Sequence, residues 1–233
     1  MLTCELDEES LSLRTSHLSQ GSQVLLEPRK SPVQARSAAT VNAILEATIQ
    51  VLLSVGKERL TTTRVALRAG VSVGTLYQYF PNKRSLLQAA LKRHLDEVTN
   101  AVEQVCREQK GNTLEQMASA LISAFLNAKM RDAKTSVALY SVSSDVDGAK
   151  IAQQMGLRAN KAIVAMLASA SEPLTKDPHL VAEMLQGSMG GVSRRLLEAD
   201  APEKQFNTLR QELVFPVSSY LEASIGRRLA TNG

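Results

Sequence analysis

Apolar positions recur along this chain at the three- and four-residue spacing of amphipathic helices. The first such segment begins near Ala38 and is predicted to end at Gly56. No stretch alternates apolar and polar residues between turn signals, as a half-buried strand would, so the pattern predicts an all-α protein. One face of the first helix carries Val41, Ile44, Leu45, Thr48, Leu52 and Val55.

Two short helices and one long helix are predicted next. The stretch LTTTRVALRAG has Thr61 or Thr62 as an N-cap candidate and ends at Gly70, and SVGTLYQYF starts from Ser72. After PNK, Asn82 can cap a long helix that reaches about Arg107. Further helices are predicted at about 113–130, 133–144, 148–171, 178–199 and 203–227, with a kink or short break at Pro216 in the last.

The chain divides into three predicted regions. Residues 1–35 are rich in Ser, Gln, Glu and Pro and show weak periodicity, which is typical of a disordered or partly ordered tail. Residues 36–83 contain the short helices, and residues 84–233 form the remaining helical domain. No run of 18 or more apolar residues occurs, and the acidic N-terminus lacks the layout of a signal peptide. We therefore expect a cytoplasmic protein without a membrane partner.

Positive charge is concentrated in one segment. The net charge of the chain is +4, yet residues 28–95 carry eleven basic and only two acidic side chains. A localised basic segment indicates a polyanionic partner such as nucleic acid. A solvated basic face would have the same composition, so the charge alone leaves both interpretations open.

The stretch GVSVGTLYQYFPNK has the steric requirements of a helix-turn-helix. Ala66 is small enough for a second helix to cross closely over the first, and Gly70 can adopt the left-handed conformation of a tight turn. Val71 and Leu76 are the apolar residues that would hold the second helix against the core. A plain helical hairpin with exposed tyrosines would show the same spacing.

The outward residues of the second short helix suit DNA. In helix-turn-helix proteins the start of this helix enters the major groove. The Gln78 amide can bond to adenine, and Val73 or Thr75 methyl groups can contact thymine. Three of the eight aromatic residues of the chain lie between Tyr77 and Phe80, where the rings would brace a short helix and the tyrosine hydroxyls suit phosphate oxygens.

Residues 36–91 resemble the DNA-binding region of the TetR family of bacterial transcriptional regulators. The resemblance is carried by a helix ending in Gly, the pattern TTxxVAxxAGVSxGTLYxYFxNKxxLL and the long helix that follows. It implies an all-helical homodimer with a C-terminal ligand-binding domain. It also implies repression through a palindromic double-stranded DNA operator, relieved by a small-molecule effector.

The resemblance implies a role for each matching residue. Contacts at the backbone and groove edge are expected from Thr62 and Thr63, and phosphate contacts from Tyr79 and Lys83. Some relatives carry a base-reading arginine in place of Thr63, which leaves the operator sequence open. The residues that would face the major groove are Val73, Gly74, Thr75, Tyr77 and Gln78. A second departure is the long N-terminal tail, in which Arg29, Lys30 and Arg36 would form an arm on the DNA or only incidental charge.

The C-terminal domain is expected to hold a largely apolar effector, which the sequence does not identify. Six of the seven methionines follow residue 110, and methionine suits both adaptable pockets and cores. Tyr140 would offer one polar contact. The predicted pocket lining is Met117, Leu121, Phe125, Tyr140, Met155 and Met166.

The last two helices are the candidate dimer interface. LQGSMGGVSRR places small residues one turn apart on an apolar helix, and small residues allow two helices to approach closely. An internal helix contact or a break at Gly190–Gly191 would explain the same glycines. The predicted interface residues are Gly187, Gly191, Leu213, Val217, Tyr220 and Leu221.

Enzymatic chemistry is not indicated. His17, His94 and His179 are far apart in sequence, and no HExxH, GxSxG or P-loop pattern occurs. Cys4 and Cys106 form no CxxC pair, so neither a metal nor a cofactor is expected. Two other functions remain open: a non-specific architectural nucleic-acid binder, and a ligand-binding module that has lost DNA affinity.

Overall fold

A computed structural model describes residues 32–225 of the chain, with side chains from Arg36 onward. Most of the described residues are helical, and their one β-type contact is an isolated bridge between Leu174 and Ile225. The predicted all-α class is confirmed. The elements are α1 Pro32–Arg59, α2 Thr62–Ala69, α3 Val73–Tyr79, α4 Lys83–Glu108, α5 Leu114–Met130, α6 Ala133–Ser141, a short 3-10 helix η1 Ser143–Val146, α7 Gly148–Leu167, α8 Pro178–Leu197 and α9 Pro202–Glu222.

Some predicted helix ends differ from the structure. The helix predicted at 133–144 stops at Ser141 because the chain tightens into η1, and α7 ends at Leu167, before residue 171. A kink or short break was predicted at Pro216, and the helical assignment of α9 continues through this residue, so no break occurs there. Leu213 and Val217, on either side of the proline, pack in the same core, and this packing supports one continuous helix.

The regular helix of α1 is broken at Gly56, where the sequence predicted the helix to end. Its backbone lies at φ 74° and ψ 170°, and helical structure then resumes as far as Arg59. The ammonium of Lys83, at the start of α4, donates a hydrogen bond to the Lys57 carbonyl. This bond joins the end of α1 to the start of α4.

Caps and a tight turn fix the two short helices. The Thr61 side chain accepts a hydrogen bond from the Arg64 amide, and the Ser72 side chain accepts one from the Thr75 amide. Gly70 takes the predicted left-handed conformation at φ 69° and ψ 28°. The Val71 amide then donates to the carbonyl of Ala66 at 3.0 Å. Because these turn bonds satisfy the last carbonyls of α2, α3 leaves the turn in one direction.

Helix α4 contributes to two hydrophobic cores. Its first half, with Leu86, Leu87 and Leu91, packs in a core with α1, α2 and α3 that also includes side chains from α6, η1 and α7. Its second half, with Val102 and Cys106, packs in a core with α5, α7, α8 and α9. The two parts of the protein are therefore connected through a continuous helix.

Arg158 ties α7 to α4 through polar contacts. Its guanidinium donates to both Glu103 carboxylate oxygens, at 3.0 and 2.9 Å, and to Asp96 at 2.8 Å. A further bond reaches the Asn100 side chain at 2.9 Å. The Glu103 carboxylate is the largest cause that raises the pKa of Arg158. Paired bonds of this kind fix orientation as well as position.

Helix α1 has an apolar composition that needs a structural explanation. Within the described residues, Arg36–Arg59 is long and apolar enough to span a membrane, with a mean hydropathy of 1.5 in its most apolar window. Ile44, Leu45 and Leu52, however, are buried in the core shared with α2, α3 and α4. This core accounts for the buried face of α1.

A polar cluster is enclosed where α4, α5 and α6 meet. The Ser136 hydroxyl donates to the Lys129 carbonyl and lies 3.0 Å from His94 Nε2, so Nε2 acts as the donor in that contact. Burial, with a smaller contribution from the Lys129 charge, lowers the pKa of His94 to about 4. The imidazole is therefore neutral at neutral pH.

Gly70→Ala is expected to lower the free energy of unfolding by about 1 kcal/mol, because an alanine at this left-handed position is strained. A Cβ at Gly70 would meet no other atom within 4 Å, so the loss would come from the backbone alone. Urea denaturation measures it. Gly156→Ala, inside α7 and equally free of contacts, should be neutral or stabilising, and an equal loss in both variants would contradict the assignment.

Stability should fall in mild acid because His94 is buried in its neutral form. The unfolded chain has the ordinary pKa of 6.5 and the folded chain a pKa of about 4, so protons bind the unfolded state first as the pH falls between these values. We expect wild type to lose on the order of 1–2 kcal/mol more than His94→Gln between about pH 7 and pH 5.

Urea denaturation at fixed protein concentration makes this comparison. His179→Gln, at an exposed position on α8, is the control and should keep the pH dependence of wild type. A His94→Gln variant with an unchanged pH dependence would show that this imidazole does not cause it.

Candidate nucleic-acid interface and ligand cavity

The outer surface of α3 presents side chains that do not serve the core. Leu76 is fully buried, whereas Val73, Gly74, Tyr77 and Gln78 are exposed. These four positions were predicted to face the major groove. The structure places them together on the solvent side of α3.

Hydroxyl contacts hold this surface in one shape. The Thr62 hydroxyl, at the start of α2, lies 3.1 Å from the Tyr77 hydroxyl. The Thr75 hydroxyl lies 2.9 Å from that of Ser72. Thr62 and Thr75, two of the predicted DNA contacts, therefore also brace the motif from which they project.

The other predicted DNA contacts have different surroundings. Thr63 is exposed on α2. Tyr79 is half-buried against the core shared with α1. The Lys83 ammonium is engaged by the Lys57 carbonyl. In the predicted N-terminal arm, Arg36 is an exposed residue of α1, whereas the other two basic residues lie outside the described part of the chain.

Most cations around the motif already have partners. Lys57 forms an ion pair with Asp145 at 3.0 Å, and Arg84 forms one with Asp147 at 2.8 Å. Both pairs connect the helices that flank the motif, α1 and α4, to the segment around η1. The Asp145 carboxylate raises the pKa of Lys57 through its hydrogen bond and its charge.

Arg64 is a basic residue that sequence reasoning missed. It is exposed in the first turn of α2 and forms no ion pair within residues 36–225. The sequence places Arg64 three residues after the Thr61 cap, at the start of α2. Because this end of α2 belongs to the helix-turn-helix, Arg64 could have been identified as a candidate DNA contact from the sequence. Arg64 is thus an exposed cation of the helix-turn-helix without an ion-pair partner among residues 36–225.

A cavity of about 600 Å³ lies within the C-terminal helices. Its walls come from α4, α5, α6, η1, α7 and α8, and most of them are apolar. Phe125, Tyr140 and Met155, three of the predicted pocket residues, line it. Met117, Leu121 and Met166 do not, because their side chains are fully buried in the core formed with α8 and α9.

The cavity wall has an uneven distribution of charge. His94, Lys129 and Arg194 line it, and no Asp or Glu does. At Tyr140, the hydroxyl donates to Glu198 at 2.9 Å, and this bond raises the pKa of the phenol. The volume and the apolar walls are those of a site for a small organic molecule.

The predicted dimer residues fall into two groups. Gly187 and Gly191 are exposed on α8. Leu213, Val217 and Leu221 are buried inside the subunit, in the core with α5 and α8. Tyr220 is half-buried beneath the Lys176 ammonium, which lies 4.3 Å from its ring centre. The exposed apolar residues of these two helices are instead Leu180 and Met184 on α8 and Phe215 on α9.

Neither metal chemistry nor thiol chemistry has a site in the described part of the chain. Among residues 36–225, no three His, Cys, Asp or Glu side chains are close enough to hold a metal ion. Cys106 is buried, and desolvation raises its pKa to about 12. Its thiol is therefore protonated and unreactive.

This chain is similar in sequence to known transcriptional repressors and similar in fold to regulators of known structure. The transcriptional repressor KstR of Rhodococcus jostii is 37% identical over 89 residues, which are 38% of this chain and 40% of KstR. The chain thus spans less than half of the length of this relative. A TetR-family transcriptional regulator from Mesorhizobium loti has a TM-score of 0.65 at 19% identity, over 81% of this chain and 98% of the other. The regulator FadR of Bacillus subtilis, solved in complex with stearoyl-CoA, has a TM-score of 0.54 at 18% identity, over 74% and 97%.

Two family models match separate parts of the chain. Residues 44–90 match the model of bacterial regulatory proteins of the tetR family. Residues 113–221 match the tetracyclin repressor-like C-terminal domain. The first match contains the helix-turn-helix, and the second contains much of the cavity wall. The chain belongs to the TetR family of bacterial regulatory proteins.

Proposed function

We propose that this protein is a sequence-specific, DNA-binding transcriptional regulator and not an enzyme. In this proposal it is a cytoplasmic homodimer that represses transcription from a palindromic operator until a small molecule enters the cavity. The observation that carries the proposal is the braced α3, which exposes Val73, Gly74, Tyr77 and Gln78 while Leu76 anchors it. Family membership supports this assignment.

The contacts divide by chemistry. Gln78 offers an exposed amide with the donor and acceptor that pair with adenine. The Val73 methyl groups suit the thymine methyl, and Gly74 permits close approach of the backbone. Arg64 at the start of α2, with Thr63, Tyr77 and Tyr79, is assigned to phosphates. Lys83 takes a positioning role in this proposal, because its ammonium holds the end of α1.

The dimer surface is assigned to the exposed stripe of α8 together with α9. Leu180, Met184, Gly187 and Gly191 are spaced at four, three and four residues, which places them on one face of α8. Leu180 and Met184 are 51% and 52% exposed, and Phe215 on α9 is 74% exposed. Two copies of this face would bury the apolar side chains around a two-fold axis.

The ligand response is assigned to the shared part of the core. Leu91, Leu139 and Met155 line the cavity and also belong to the core of the DNA-binding helices. A ligand that moves these side chains therefore acts on the packing of α1 and α4. The ion pairs of Lys57 and Arg84 with the segment around η1 provide a second connection.

Selection of bound fragments from the source genome tests the proposal. We expect purified protein to recover a short inverted repeat at about 150 mM salt, where non-specific phosphate binding is weakened. Its half-sites should be about 34–36 Å apart, or farther on a longer site. Fragments without a shared motif would instead indicate a non-specific binder, and no binding even at low salt would leave only a ligand-binding role.

Gln78→Ala and Arg64→Ala should have different effects on the recovered operator. Gln78→Ala is expected to cost about 1–3 kcal/mol per half-site and to relax the preference at one base position. Arg64→Ala should weaken binding to all sequences alike and reduce the salt slope by about 2 for the dimer, because each subunit loses one phosphate contact. Fluorescence anisotropy at several salt concentrations on a set of single-base operator variants measures both effects. If Gln78→Ala binds every operator variant as wild type does, the base-reading role is wrong.

Met184→Arg should dissociate the dimer. The substitution introduces two unpaired cations into one isologous interface, and we expect the dimer dissociation constant to rise by about 100-fold or more. Sedimentation velocity across a concentration series measures it. Leu157→Arg, at a residue of α7 that is 67% exposed, is the matched control and should remain dimeric. A dimeric Met184→Arg protein would place the interface elsewhere.

A further inference from the structure

The cavity wall carries positive charge without a compensating carboxylate. Lys129, Arg194 and the titratable His94 line it, and none of its lining residues is Asp or Glu. An apolar cavity of this size needs no charged group to fill space. A cation in its wall costs free energy unless a partner neutralises it. We therefore expect the ligand to supply the negative charge that neutralises this cation.

Lys129 is the cation placed farthest from solvent. It lies in the last turn of α5, beside the buried Ser136 and the His94 ring. Desolvation lowers the pKa of its ammonium to about 8, and no nearby carboxylate opposes this shift. Within residues 36–225, Lys129 forms no ion pair. It keeps its charge at neutral pH while lacking a counter-ion.

The neighbouring polar groups are already bonded to one another. The Ser136 hydroxyl donates to the Lys129 carbonyl and faces His94 Nε2 at 3.0 Å. The nearby acid, Asp132, caps α6 through the amide and hydroxyl of Thr135, at 3.0 and 2.6 Å. Asp132 lies outside the cavity wall. The Lys129 ammonium is thus the group of this cluster that remains for a ligand.

The apolar part of the cavity wall favours a hydrocarbon. Leu95, Val98 and Val102 of α4 form one wall, with Phe125 on α5 and Ile163 on α7. These side chains offer no hydrogen bonds, so this part of the wall suits a hydrocarbon and selects by shape, while Thr99, Gln186 and Ser193 add polar groups elsewhere in the wall. Arg194 is exposed, so it retains water as its partner.

We propose that the cavity binds an amphipathic monocarboxylate, with its hydrocarbon body along the apolar walls and its carboxylate on the Lys129 ammonium. The inference rests on the proposed function, because it identifies the chemical class of the effector. A single negative charge matches the one half-buried lysine or arginine of the wall, since Arg194 is exposed. Dianionic headgroups such as phosphate would require a second buried cation, which this wall does not provide.

Binding of matched acids and alcohols tests the proposal. The probes are octanoate, decanoate, dodecanoate and hexadecanoate, each compared with the alcohol of the same length by calorimetry on the full chain. Wild type should bind the acid of the best-fitting length about 10- to 100-fold more tightly than its alcohol, because a hydrogen bond to a charged group is lost in the alcohol. Lys129→Met should abolish this preference while leaving affinity for the alcohol unchanged.

The control is Lys134→Met, which removes the same charge from an exposed position on α6 outside the cavity wall. It should keep the preference for the acid. Lys129→Met should unfold at or above the temperature of wild type, since it removes an unpaired cation, and this verifies that the variant is folded. Equal affinity for acid and alcohol at every length, or an unchanged preference in Lys129→Met, would overturn the proposal.

Operator binding is measured on the same preparations without ligand. Intact operator binding without preference for acids would reject the ligand class alone and leave the regulator assignment in place. Failure of wild type to bind any operator would reject the proposed function. Retention of the Lys129-dependent preference in that case would still support the carboxylate site.

Discussion

Helix α4 packs in two hydrophobic cores at once, and this constraint connects the DNA-binding helices to the C-terminal bundle. Leu86 and Leu91 hold it against the DNA-binding helices, while Val102 and Cys106 hold it in the C-terminal bundle. A rigid helix cannot change its packing at one end without transmitting the change along its axis. Arg158 strengthens the connection by binding three side chains on successive turns of α4.

The cavity lies against this shared helix, so its occupancy and the core packing are linked. Leu91, Leu139 and Met155 contact both the empty volume and the core beneath α1. Filling the cavity restores dispersion contacts that its walls lack. In the ligand-free protein the Lys129 ammonium is destabilising, because it is a half-buried cation without a counter-ion among residues 36–225. A ligand that satisfies both conditions stabilises the arrangement it binds.

Local steric requirements made the helix-turn-helix predictable from sequence. Gly70 had to be left-handed, Ala66 had to be small, and Ser72 had the side chain of a cap. Each of these depends on residues within one or two turns. The placement of α3 side chains followed from the helical period once Leu76 was assigned to the core.

The C-terminal residues could not be placed in the same way, because their surroundings come from distant parts of the chain. Met117 and Met155 have the same chemistry, but only Met155 lines the cavity. Leu213, Val217 and Leu221 show a regular apolar face, which the sequence cannot assign to the subunit core or to a partner. In the sequence, Lys129 is a lysine near a helix end, and nothing there predicts that its charge is partly buried. Its significance depends on the burial that α4 and α6 impose, and on the Ser136 contact between them.

The exposed face of α3 and the cavity wall differ in how many amino-acid substitutions they tolerate without loss of stability. Gln78 and Val73 touch no core, so other residues at these positions leave the fold intact and alter only which operator is bound. The cavity wall consists of core residues, so each change there alters both ligand fit and stability. Through duplication and divergence, descendants of such a protein can therefore acquire new operators by single substitutions. New ligands require compensating changes elsewhere in the bundle.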